Sequence, residues 1–221
     1  MNIGINGLGR IGQLALRNII ERKDLNIVAI NDLFPAEYLA YLLKYDSTHG
    51  KFNADISHDD NHVIINDKKI KVSCEKDPSN IKWGDVGADY IIEASGVFLT
   101  QELARKHINC GAKKVIMSAP PKDNTPMYVM GVNHNDYDSS FDIVSNASCT
   151  TNCLAPIVEI LDRSFGIENG IVKYVAEFEQ QKENLSNIYH DKINRDITTT
   201  SQQRSSDNML NIARKCAIAH T

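Results

Sequence analysis

No stretch of the sequence approaches the roughly eighteen consecutive apolar residues that a membrane span requires, and the first residues carry no signal-peptide pattern. A cytoplasmic protein is expected. Positive charge is in short supply: 24 Lys and Arg against 28 Asp and Glu leave a net charge of −4, with no field to draw in nucleic acid or an anionic membrane. Cysteine is sparse, and Cys74, Cys110, Cys149, Cys153 and Cys216 form an odd, scattered set that argues for free thiols rather than a disulfide framework. Cys149 and Cys153 without histidine at ligand spacing make a poor zinc site, so no metal is expected. Tryptophan occurs once, and no internal repeat is present. What is there, 42 % hydrophobic and 24 % charged residues in a chain of 221, is enough to bury a core. At about 150 residues per domain the length allows one full domain and part of a second.

The apolar periodicity is that of alternating strands and helices. Asn2 to Asn6 reads as a strand, Ile11 to Ile20 as an amphipathic helix, and Ile27 to Ile30, closed by Asn31 and Asp32, as a second strand. Leu39, Leu42 and Leu43 mark a further helix, and His62 to Cys74 a hairpin turning around Asn66, Asp67 and Lys68. Strands are expected at Asp89 to Glu93, Lys113 to Met117, Tyr128 to Val132 and Asp142 to Val144, with a helix from Leu99 to Cys110 stopped by Gly111. This order predicts an α/β protein with a doubly wound, mostly parallel sheet over residues 1–148. A second helix pattern runs from Cys149 to Phe165, and Gly170 to Phe178 reads as one more strand. From about Glu177 to Asn208 polar residues dominate, so this stretch is expected to be poorly ordered.

Between the first strand and helix lies Gly7-Leu8-Gly9-Arg10-Ile11-Gly12. A GxGxxG run alone also fits an ordinary turn, but its position here is that of a dinucleotide loop. Gly7 serves the tight turn, Gly9 the approach of a pyrophosphate and Gly12 close helix packing, while the helix N-terminus supplies N–H groups. Asp32 follows the second strand, where a carboxylate accepts from ribose hydroxyls and repels a 2′-phosphate, which favours NAD over NADP. Arg10 stands beside the pyrophosphate position, where a bidentate cation is useful. Farther along, Ser148-Cys149-Thr150-Thr151-Asn152-Cys153 falls where a strand hands over to a helix, and a cysteine at a helix N-terminus is placed to act as a nucleophile.

The segments Ile5 to Gly12, Asn31-Asp32, Leu42 to Gly50, Ser118 to Pro121, Val129 to Asn133 and Ser145 to Pro156 together closely resemble phosphorylating glyceraldehyde-3-phosphate dehydrogenase. The resemblance covers residues 1 to about 170. It implies a Rossmann-type NAD domain, residues 1–148, followed by an incomplete catalytic domain, residues 149–221, diverged from 177 onward. It implies NAD contacts from Asn6, Gly7, Gly9, Arg10, Ile11, Gly12, Asp32, Lys76, Ser95, Gly96 and Ser118, with Lys76 standing where the family often has arginine. It also implies that Cys149 attacks the aldehyde of glyceraldehyde 3-phosphate and carries the acyl group as a thioester, which inorganic phosphate resolves, while Ser148 and Thr150 hold phosphate oxygens.

The resemblance weakens beyond residue 170. An ungapped alignment puts Ala176 at the position of the family's base histidine, and alanine takes no proton. It puts Glu179 where a threonine would bind substrate phosphate. His190 lies in a polar stretch and is the first substitute base to consider. Impaired turnover is therefore expected, along with apolar surface laid bare on the helix after Cys149. The alternatives are a catalytically inactive NAD-binding relative acting as a binding or regulatory partner in homo- or hetero-oligomers, and a redox-sensitive thiol protein built on Cys149.

Overall fold

The computed structural model describes residues 1–170. Among them, parallel strands β1 (Asn2–Asn6) and β2 (Asn26–Asn31) flank helix α1 (Arg10–Ile20), and helix α2 (Ala36–Lys44) follows. Three strands come next, β3 (Ile56–His58), β4 (His62–Ile65) and β5 (Lys68–Ser73), paired antiparallel in sequence order. The chain then builds β6 (Tyr90–Glu93), helix α3 (Gln101–Asn109), β7 (Lys114–Met117), β8 (Ile143–Ser145) and helix α4 (Cys149–Phe165). All lie in one sheet of order β3-β4-β5-β2-β1-β6-β7-β8, parallel from β5 to β8.

The central strands are apolar without alternation because both faces of the sheet are covered. Ile3, Ile5, Ile27, Ile30 and Ile92 pack with Leu16 and Ile19 of α1 and Leu39 and Leu43 of α2, while Ile91, Val115 and Met117 pack with Trp83 and Ala104 on a second cluster. The hairpin turns where expected: Asn66 and Asp67 both adopt positive φ, at 48° and 66°, the conformation of a two-residue type I′ turn. Gly111, at φ 102°, ends the α3 segment as predicted, although that helix begins at Gln101 rather than Leu99 because Thr100 caps it.

One expected strand is absent. Tyr128 to Val132 does not run along the sheet; it meets it only through a bridge from Met127 to Ser145 and the bond from the Tyr128 N–H to the Ser145 carbonyl. The chain then turns, with Gly131 at φ 84° and the Asn133 side chain accepting from the Val129 N–H at 2.8 Å and donating to the Met127 carbonyl at 3.0 Å. Asn133 closes the turn and ends the ladder. Conversely, β3 was not foreseen: three residues, of which only Ile56 is buried, carry too little periodicity. Along α4, Leu154, Ile157, Val158, Ile160 and Leu161 are exposed, and Phe165 is 83 % exposed. This is the apolar surface expected after Cys149. The strand foreseen from Gly170 and the polar stretch after it fall at or beyond the limit of the described residues.

Arg17 ties α1 to the chain that leaves α2. Its guanidinium, almost fully buried, donates to the Leu43 carbonyl at 2.8 Å and the Gly50 carbonyl at 3.1 Å and lies 5.1 Å from the centre of the Phe52 ring. Arg17→Met keeps an apolar stem but leaves both carbonyls without this donor, so stability should fall by about 2 kcal/mol. The expected result is a lower urea midpoint with an unchanged slope. An unchanged midpoint would mean that the carbonyls find other donors.

Candidate functional site

The sequence-predicted site residues all lie beyond the carboxyl ends of the parallel strands. Asn6 ends β1, Asp32 follows β2, Lys76 lies beyond β5, Ser95 and Gly96 follow β6, Ser118 follows β7 and Ser148 to Thr150 follow β8. In the order β5-β2-β1-β6-β7-β8 these form one continuous edge, with Lys76 and Asp32 toward one side and Cys149 toward the other. The parallel ladders extend past the strand ends, through bonds from Gly7 N–H to the Asn31 carbonyl, Ala94 N–H to Asn6, Ser118 N–H to Glu93 and Asn146 N–H to Met117, each 2.8 to 2.9 Å long. Chain order reverses between β1 and β6, since successive strands are added on one side and then the other. That is the switch point at which open α/β sheets take ligands.

At the switch point the backbone is too close for side chains. A Cβ on Gly7, which has φ 90°, would fall 2.6 Å from the Ser95 nitrogen, and one on Gly12 would fall 2.1 Å from the Gly7 carbonyl oxygen. Gly9 and Gly96 differ: a Cβ on either would meet nothing within 4 Å, so both border open space. Helix α1 begins there without a side-chain cap and without an acid in its first turn, so its leading N–H groups, next to the exposed Arg10 and the half-buried Ile11, are not taken by a capping side chain. Asp32 braces the loop from the other side, its carboxylate accepting from the Leu8 N–H at 2.6 Å and the Phe34 N–H at 3.2 Å. An open glycine-lined cradle, an uncapped helix start and a partly buried carboxylate together fit a dinucleotide.

Lys76, exposed, sits next to Asp77, whose carboxyl is held below its usual range by the Ser79 N–H and by the Lys106 ammonium. Among the described residues no cluster of His, Cys, Asp and Glu of metal-binding size is present, and no helix is long and apolar enough to cross a membrane.

The cysteine lies on a sharp strand-to-helix turn. Ala147, buried and at φ 58°, takes a left-handed conformation that costs a residue with a Cβ, and such strain persists only where the surroundings impose it. Asn152 imposes it, its fully buried side chain donating to the Asn146 carbonyl at 2.7 Å and the Ser148 carbonyl at 2.9 Å. Ser148 caps α4 by accepting from the Thr151 N–H at 3.0 Å, and its hydroxyl lies 2.9 Å from that of Thr150 and 2.7 Å from that of Thr151. Cys149 is the first residue of the helix and is exposed, beside this group of three hydroxyls. Ala176, Glu179, His190 and Cys216 lie outside the described residues.

Residues 1–101 match the family model of the glyceraldehyde 3-phosphate dehydrogenase NAD binding domain, and residues 148–205 match that of the C-terminal domain of the same enzyme. The chain is 55 % identical over 175 residues to the glyceraldehyde-3-phosphate dehydrogenase of Salmonella typhimurium strain LT2, a match covering 79 % of this chain and 53 % of that protein. It has the same identity and coverage with glyceraldehyde-3-phosphate dehydrogenase A of Escherichia coli K12. The chain belongs to the glyceraldehyde-3-phosphate dehydrogenase family. Its NAD-binding domain is that family's, its cofactor is NAD, and the resemblance drawn from the motifs is borne out. The chain spans about half the length of the curated relatives it matches. The second family match crosses Ala176 and Glu179 and runs on to residue 205.

Sequence reasoning missed three groups beneath the cradle: Glu93, His107 and Trp83 are fully buried and joined by hydrogen bonds. The available signal was a carboxylate closing an otherwise apolar strand, Tyr90-Ile91-Ile92-Glu93.

The glycine geometry predicts opposite outcomes for two substitutions. Gly12→Ala forces the loop off the helix and should cost about 2 kcal/mol, the usual scale for overpacking a tight site. Gly9→Ala, whose new methyl meets only open space, should leave stability within about 0.5 kcal/mol. Urea denaturation of the two variants checks this, and equal stabilities would refute the close approach at Gly12.

Proposed function

We propose that the chain binds NAD along the carboxyl edge of its sheet and uses Cys149 as the nucleophile in the oxidative phosphorylation of glyceraldehyde 3-phosphate. The observation that carries this reading is the continuous edge on which Asp32, the glycine loop, Ser95, Gly96, Ser118 and Cys149 follow one another in strand order. In this reading residues 1–148 form the NAD domain and residues 149–221 the start of the catalytic part, in a cytoplasmic protein.

Asp32 accepts from the adenine-ribose hydroxyls and excludes a 2′-phosphate by charge repulsion. The uncapped start of α1, with Gly7, Gly9, Arg10, Ile11 and Gly12, takes the pyrophosphate. Asn6, Lys76, Ser95, Gly96 and Ser118 complete the contacts. Cys149 Sγ adds to the aldehyde carbon, giving a thiohemiacetal. Bound NAD supplies the hydride acceptor that turns this adduct into a thioester. Inorganic phosphate then displaces the Cys149 sulfur, with Ser148 and Thr150 holding phosphate oxygens by hydroxyl donation. With Ala176 in the base position proton transfer falls to water, which costs about 10²- to 10⁴-fold in rate.

Ala176 and Glu179 favour a second reading, NAD binding without turnover, in which the chain acts as a binding or regulatory partner in homo- or hetero-oligomers. NADH formation from glyceraldehyde 3-phosphate, NAD⁺ and phosphate separates the two. Slow turnover that disappears in Cys149→Ser is the expected result. No turnover with NAD⁺ binding retained leaves the second reading, and no NAD⁺ binding overturns both. Gly9→Ala, stable by the argument above, should weaken NAD⁺ at least about tenfold, since its methyl occupies the space left for the pyrophosphate.

A further inference from the structure

Beneath the cradle, two relays of hydrogen bonds converge on one buried carboxylate. From one side the Trp83 indole N–H donates to His107 Nδ1 at 2.9 Å, and His107 Nε2 lies 2.9 Å from Glu93 Oε2. An indole nitrogen only donates, so Nδ1 must accept, and the imidazole is the neutral Nε2–H tautomer that donates to Glu93. From the other side Ser73 Oγ donates to Asn31 Oδ1 at 2.9 Å, Asn31 Nδ2 to Asn6 Oδ1 at 2.8 Å, and Asn6 Nδ2 to Glu93 Oε2 at 2.5 Å. The second oxygen, Glu93 Oε1, accepts from the Ser95 N–H at 2.8 Å and from the Ser95 hydroxyl in a shorter contact. Trp83, Glu93 and His107 are each 0 % exposed.

The two acceptors of this carboxylate therefore have different duties. Oε1 holds Ser95 by both its backbone and its side chain, which turns the hydroxyl proton inward and leaves the oxygen as an acceptor, used by the Val97 N–H at 3.2 Å. Oε2 holds the Asn6 amide, whose own oxygen is committed to Asn31. Ser95 and Asn6 flank the switch-point crevice, on the ends of β6 and β1. Neither can rotate without breaking a charge-assisted bond to Glu93.

We propose that Glu93 and His107 are positioning residues of the NAD cradle: His107, held as one tautomer by Trp83, orients the Glu93 carboxylate, which fixes Ser95 and Asn6 in the geometry that receives the cofactor. The inference rests on the NAD contacts assigned above to Asn6 and Ser95. The network also contains its own reporter, because Trp83 is the chain's single tryptophan and its indole N–H is the outer end of one relay.

The test uses the full chain labelled with ¹⁵N, in which one indole cross-peak belongs to Trp83. Calorimetric titration with NAD⁺ gives the affinity, and the same titration followed by NMR should move the indole peak saturably with the same midpoint. His107→Phe, which keeps an aromatic volume but removes both bonds, should weaken NAD⁺ about tenfold, the effect of one lost bond to a charged group. His107→Gln, which both donates and accepts, should restore affinity to within about threefold of the parent. A purely structural role would lower stability without this split, so a folded His107→Phe that binds NAD⁺ as the parent does overturns the proposal. Should His107→Phe fail to fold, the parent's indole peak decides alone, and a peak that stays in place as NAD⁺ saturates overturns it equally. A parent chain that takes no NAD⁺ is a different result: it removes the cofactor contacts on which the inference rests and refutes the function proposed above.

Discussion

A carboxylate with no exposure to water is tolerable only if its charge is matched by donors, and Glu93 has four: Asn6, His107 and two from Ser95. Because those donors come from the end of β1, from α3 and from the turn after β6, satisfying one charge fixes three separate pieces of chain. Asn31 extends the constraint to β2 and, through Ser73 and the Glu75 backbone, to the end of β5. Strand pairing alone sets where these ends lie along the sheet, but it does not set which way the loops beyond them point. The polar network supplies that, and the glycine loop rests on it.

The energetic logic is asymmetric. Each bond in the network adds only a modest net amount to stability, because the unfolded chain makes equivalent bonds to water. Losing one is costly, since a buried charge or amide then lacks a partner with no water to replace it. A network of this kind is therefore better suited to specifying one arrangement than to adding stability. Apolar packing of Ile3, Ile5, Ile30 and Ile92 would tolerate small rotations of Asn6 and Asn31, whereas the directional bonds do not.

This also explains which features were legible in the sequence. Strands, helices and the phosphate loop follow from local signals: apolar runs, the GxGxxG spacing, and Asn66-Asp67 between alternating segments. The place of Asp32 was legible from its distance along the chain from Gly12, and its carboxylate does lie against the loop, accepting from the Leu8 N–H. Glu93, His107 and Trp83 are 10 to 24 positions apart, and nothing local links them; their meeting is a product of the fold. The segment Tyr128 to Val132 failed for a related reason. Its apolar content suits a strand, but Asn133, lying just beyond it, folds back to bind Val129 and Met127 and closes the chain into a turn. The high identity to relatives, over 175 residues, carries the family assignment, while Ala176 lies outside the described residues.

The two helix starts on the carboxyl edge show how one backbone device is adapted to two tasks. Both α1 and α4 follow parallel strands, and both begin at the carboxyl edge of the sheet, where the positive end of each helix lies. At α1 the cap position is Gly9, with no side chain to satisfy the leading N–H groups, so an external anion can take them. At α4 the cap is Ser148, which already binds the Thr151 N–H, so one of the leading donors is taken. In the proposed reaction a self-capped start suits the residue that forms and breaks a covalent bond, and Cys149 occupies the first turn there. A glycine at position 148 would lose the bond from the Thr151 N–H that closes the helix start. In the proposed function, glycine at one start and serine at the other match a helix end that receives a charge from outside and one that presents a side chain of its own.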